Sequence, residues 1–103
     1  PAISDGVVYF GDSRDYVYAL DAQSGWEKWN YRTRGPVESS PAVSGGVVYF
    51  GSGDHYFYAL YAETGQEKWK FRTGDDVTSS PVISDGVIYF GSWDKHLYAL
   101  EIE

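Results

Sequence analysis

Four loop aspartates are the residues of this chain whose type is best suited to chemistry: Asp12 and Asp15 in GDSRD, Asp54 in GSGDH and Asp94 in GSWDK. Carboxylates at equivalent places in successive repeats could ring a cation. The spacing argues otherwise, because a calcium loop supplies ligands from alternating positions one, three and five, which none of these loops reproduces. Aspartate beside glycine is ordinary hairpin chemistry. The neighbouring glycines form no phosphate cradle, since no helical pattern follows them.

His55 stands in a turn and His96 at the start of a strand, neither with a second histidine or cysteine at ligand spacing. Both read as turn or surface residues, and no metal site is expected. No serine occupies a nucleophile elbow, and Ser39-Ser40-Pro41 returns as Ser79-Ser80-Pro81, as a structural position would. No catalytic or cofactor-binding residue is therefore assigned, and the chain is expected not to be an enzyme. Trp93 stands out, because the corresponding loop positions hold Ser13 and Gly53. With Trp26 and Tyr61 it is a candidate partner contact, although packing onto a neighbouring blade would explain Trp93 equally well.

The elements that carry these residues are written nearly three times over. PAISDGVVYFG at Pro1 returns as PAVSGGVVYFG at Pro41 and PVISDGVIYFG at Pro81, and YVYAL at Tyr16 returns as YFYAL at Tyr56 and HLYAL at His96. A period of 40 residues filled with aromatic and β-branched runs is the pattern of a four-stranded β-propeller blade. The fold class expected is all-β, with two full antiparallel blades over 1–40 and 41–80 and a three-stranded third over 81–103.

Within a repeat, the first strand is expected over Val37 to Ser44, innermost around the axis because Pro41 needs a place where a ladder donor is dispensable. Asp5-Gly6, Gly45-Gly46 and Asp85-Gly86 fit two-residue type I′ turns. Val7 to Gly11 and Tyr16 to Ala22, with their copies, are apolar on both faces and need cover on both. Glu27 to Thr33 and Glu67 to Thr73 alternate, as outermost strands guarded by lysine would. The basic residues then lie on a solvated rim that forms no binding patch.

The formal charge of −7 argues against nucleic acid and anionic membranes as partners. There is no cysteine, hence no disulfide and no thiolate metal site. No apolar run is long enough to span a bilayer, so membrane insertion is not expected.

Ala19, Asp21, Ser24, Gly25 and Trp29, with Ala59, Thr64, Gly65 and Trp69, resemble the tryptophan-docking motif of the PQQ-like (pyrroloquinoline quinone) repeat β-propeller family. The resemblance covers the whole chain. It implies that Trp29 and Trp69 pack between the alanines Ala19 and Ala59 and the glycine-bearing backbone of an adjoining blade, with Gly25 and Gly65 at the docking positions. Tyr61 replaces the usual aspartate, which puts a turn hydrogen bond in doubt, and the third copy ends before its glycine and tryptophan. The family's dehydrogenases imply a quinone held by a tryptophan and an adjacent-cysteine disulfide, with calcium and an aspartate base. This chain has no cysteine, and no cofactor is expected. Relatives are mostly exported, which favours an extracytoplasmic location by resemblance alone.

Less than three repeats would leave a flat apolar blade face bare at each end and Tyr98 and Leu100 on an exposed strand edge. The expected function is a non-catalytic scaffold or protein-interaction module, self-associating head to tail into a ring or forming part of a larger one. The alternative is a fragment of a quinone-dependent dehydrogenase whose catalytic residues lie outside this chain.

Overall fold

A computed structural model describes residues 1–102, and every regular element among them is a strand. Eleven strands form three antiparallel sheets. The first holds β1 (Ala2–Ser4), β2 (Val7–Gly11), β3 (Tyr16–Asp21) and β4 (Glu27–Arg32) in sequential order. The second repeats it with β5 (Ala42–Ser44), β6 (Val47–Gly51), β7 (Tyr56–Tyr61) and β8 (Glu67–Arg72). The third has β9 (Val82–Ser84), β10 (Val87–Gly91) and β11 (Leu97–Glu101), with β11 at its outer edge. This is the blade architecture expected from the repeat. No helix among the described residues is long and apolar enough to cross a membrane.

The tight turns follow from backbone chemistry. Asp5 and Gly6 both have positive φ (51° and 75°), as do Gly45 and Gly46 and Asp85 and Gly86. Two successive left-handed residues are what a type I′ turn requires. The innermost strands β1, β5 and β9 neighbour one another around the axis.

Each innermost strand is only three residues long, shorter than the Val37 to Ser44 expectation. Proline at 41 has no amide to donate, so the β5–β6 ladder stops at the Ala42–Tyr49 pair. The Ser39 hydroxyl takes over at that point, accepting from Gly51 N at 2.9 Å, and Ser79 does the same for Gly91 N at 2.7 Å. That substitution gives the repeated serine-proline sequence its structural purpose.

Two layers of core lie between the three sheets. Tyr9, Val17, Ala19 and Trp29 of the first sheet close on Val48, Phe50, Tyr58 and Leu60 of the second. The opposite face of the second sheet, Val47, Tyr49, Phe57 and Ala59, closes on Ile88 and Phe90 of the third. The Phe57 and Phe90 rings stack at 3.9 Å between centroids and 1° between planes. Such a pair adds about 0.5–1.5 kcal/mol beyond the area it buries. The middle sheet is covered on both sides, which is why β6 and β7 can be apolar on both faces.

Candidate functional site

The junction between the first two sheets is built around one indole. Trp29 is 8% exposed and stands opposite Ala19 across the β3–β4 ladder. Its Nε1 donates to the Ala62 carbonyl at 2.8 Å, and Gly65 lies against its ring. Trp29 thus has Ala19 opposite it in its own sheet and Ala62 of the next blade accepting its hydrogen bond. Trp69 holds the same place opposite Ala59 but is only half-buried. Gly25, the counterpart of Gly65, has open space where a β-carbon would stand, with no neighbour within 4 Å of it.

Buried polar ties reinforce each junction. Thr33, at the end of the first sheet, gives its hydroxyl to Gly35 O at 2.6 Å and receives that of Ser52 at 3.1 Å. The loop aspartates tie adjacent blades as well as closing turns. Asp54 accepts from Tyr56 N, from the Tyr58 hydroxyl and from Arg34 N of the preceding connector. Asp94 repeats this with His96 N, the Tyr98 hydroxyl and Gly74 N. The Tyr98 hydrogen bond, aided by the Gly74 and His96 amides against a smaller burial penalty, holds the Asp94 carboxyl down to about 2. Burial and the Asp54 hydrogen bond push the Tyr58 phenol up. Burial and the Glu67 carboxylate, 2.9 Å from its hydroxyl, push Tyr31 up to about 12.

Antiparallel order divides the loops between two ends. The two-residue turns and the β3–β4 turn share one end, tied by Ala22 N to Gly6 O at 2.8 Å. The β2–β3 loops and the connectors between blades share the other, tied by Val37 N to Asp12 O at 3.0 Å. Trp26 (78% exposed) and Tyr61 therefore lie at the first end and Trp93 at the second. The three candidate contacts do not form one surface. Trp93 stays 68% exposed although its Nε1 donates to Thr78 Oγ1 at 2.9 Å. At Tyr61 the two hydrogen bonds that the Asp21 carboxylate accepts in its turn, from Gln23 N and Ser24 N, have no side-chain counterpart, while the backbone bonds of the turn persist.

The connector end of the second junction brings together, among the described residues, one histidine and two carboxylates that could share a metal ion. His55, in left-handed conformation (φ 78°), brings Nε2 to 3.3 Å from Asp76 Oδ1 and 4.0 Å from Asp75 Oδ1. At the first junction the corresponding positions are Asp15, Gly35 and Pro36. His55 is indeed a turn histidine, as expected, but Asp75 and Asp76 escaped notice because they lie twenty residues away. The usable signal was that positions 55 and 75–76 depart together from the repeat. His96 has one carboxylate partner among the described residues, Asp94, at 3.3 Å.

Four basic residues, Arg32, Arg34, Lys70 and Arg72, line one groove of about 690 Å³ between the outer strands of the first two sheets, together with Asp54, His55, Tyr56 and Tyr58. Lys70 Nζ sits 4.7 Å from the Tyr56 ring centroid. The basic residues of the rim are thus partly gathered, because Arg32 on β4, Arg34 in the connector and Lys70 and Arg72 on β8 face the same cleft, where Asp54 offsets part of their charge.

The edge expectation is corrected in its particulars. β11 is the outer edge of the third sheet, but Tyr98 and Leu100 turn inward and pack half-buried against the second sheet. The bare side chains belong to the other face: Leu97 is 77% exposed and Tyr89 38%. Period-two alternation sends neighbours to opposite faces.

No curated protein matches the chain. A family model described as outer membrane protein assembly factor BamB matches residues 1–103. Among solved structures, quinohemoprotein alcohol dehydrogenase ADHIIG from Pseudomonas putida HK5 is 28% identical, with a TM-score of 0.90 over 100% of this chain and 18% of that one. BamB from Moraxella catarrhalis is 28% identical, with a TM-score of 0.83 over 97% of this chain and 32% of that one. The computationally designed Ika4 protein, at 19% identity and TM-score 0.87, shares the fold. The chain spans less than a third of either natural relative.

Proposed function

We propose, from the premise that this chain belongs to the PQQ-like repeat family described by outer membrane protein assembly factor BamB, that it is a non-catalytic propeller scaffold. Its two outer blade faces are covered by further blades of the same repeat, and its loops are offered to a protein partner. One observation carries the reading. The outer face of the third sheet, Val87, Tyr89, Leu97 and Ala99, repeats Val7, Tyr9, Val17 and Ala19, the face that the first sheet buries against the second. Val17 is fully buried where Leu97 is 77% exposed. A surface that is core at one junction is suited to being core at the next, and a head-to-tail second copy is the simplest cover.

A catalytic role for these residues finds no support in their donor set. A disulfide-flanked quinone site needs cysteines, which the chain lacks. Trp26 and Trp93, the tryptophans outside the docking positions, project at opposite ends of the sheets. The residues present do not fit that cofactor. The family description names an assembly factor, which supports a protein partner over a small molecule. The match to the alcohol dehydrogenase favours one other reading, in which these blades serve as scaffold within a longer quinoprotein.

Light scattering on the purified chain at micromolar concentration tests the proposal. Assembly into discrete multiples, lost in Tyr89→Ser/Leu97→Ser, is expected. A well-folded monomer would overturn self-association, and a quinone co-purifying with the full-length protein would favour the second reading.

A further inference from the structure

We propose that His55, Asp75 and Asp76 form a first-row divalent metal site of the zinc type at the connector end of the second blade junction. One atom from each, an imidazole nitrogen and two carboxylate oxygens, lie within 4.8 Å of one another. Ligands at about 2.0–2.2 Å from a tetrahedral zinc stand about 3.4 Å apart. The 3.3 Å separation of His55 Nε2 from Asp76 Oδ1 matches the edge of such a tetrahedron, and Asp75 Oδ1, at 4.0 Å, would have to move inward to complete it. One nitrogen with two carboxylates suits zinc or its first-row neighbours better than calcium, which takes oxygen alone.

The backbone that carries the three ligands is fixed from several sides. The His55 carbonyl accepts from Thr73 N at 2.7 Å and Thr73 Oγ1 at 2.9 Å. The single Thr73 hydroxyl proton is shared between that carbonyl and Asp75 O, 2.6 Å away, and Ser92 Oγ donates to Asp76 O at 3.1 Å. Trp93 N also donates to Asp76 O, at 2.9 Å. Asp76 N donates to Asp75 Oδ1 at 2.7 Å, orienting that carboxylate. The ligand side chains are 39–48% exposed, which leaves water access to the remaining coordination positions. The first junction is a built-in comparison: the same scaffold carries Asp15, Gly35 and Pro36 and cannot assemble three ligands.

Isothermal titration of the metal-free chain with zinc alone tests the site. Saturable binding of one zinc per chain is expected. His55→Ala and the near-isosteric Asp76→Asn should each weaken it by about 10–100-fold while circular dichroism reports an unchanged fold. His96→Ala, which removes a histidine with a single carboxylate neighbour, should leave the affinity unchanged. Absence of saturable binding at millimolar zinc would show the three groups to be an ordinary ion pair and overturn the site. So would binding that survives both His55→Ala and Asp76→Asn, or that is lost with His96→Ala.

Discussion

The ring of Trp29 occupies the space that a β-carbon on Gly65 would need: such a carbon would come 2.5 Å from Trp29 Cδ2. Blade docking here is an indole face laid on bare backbone. It also sits where Gly65 has a φ of 77°, a left-handed conformation that disfavours any L side chain.

Two substitutions separate those effects. Gly25→Ala meets the same backbone conformation with no neighbour within 4 Å, so it should cost about 1–2 kcal/mol from strain alone. Gly65→Ala adds displacement of the indole, a further 1–3 kcal/mol or so. Chemical denaturation of the two variants should show the larger loss at Gly65, and equal losses would mean that the contact contributes nothing.

The central aromatic stack should dominate core stability. Phe57→Ala removes a fully buried ring stacked on Phe90 and is expected to lower unfolding free energy by about 3–5 kcal/mol. Leu97→Ala, on the bare outer face, should change the stability of an isolated chain by no more than about 0.5 kcal/mol. Denaturant midpoints at concentrations too low for association are the measurement.

Asp94 gives a pH signature. Its folded-state pKa lies near 2, below the ordinary 3.8. A depressed carboxyl stabilises the fold above its unfolded pKa and loses that contribution as pH falls toward the folded value. Asp94→Asn should therefore unfold at lower denaturant than the parent at pH 7. The gap should narrow between about pH 4 and pH 2, and a gap independent of pH would show that Asp94 is not stabilising as a carboxylate.

Much of the fold is legible in the sequence because each blade is specified locally. The turn glycines, the alternation on β4 and the two-sided apolar runs of β6 and β7 all act within a few residues. The short innermost strands were harder to read. Pro41 is visible in the sequence, but the Ser39 hydroxyl that accepts from Gly51 N beyond the end of the ladder becomes apparent only when Gly51, twelve residues on, is folded back against it.

What the sequence determined by itself was the blade, its strand order and the residues repeated to build it. Tertiary structure decided which of two identical faces is core and which is bare, so that Val17 and Leu97, equivalent in the repeat, end at opposite extremes of exposure. It also decided that His55 meets Asp75 and Asp76. Strand alternation and turn geometry are properties of neighbouring residues, whereas burial and side-chain encounter depend on which distant segment packs alongside.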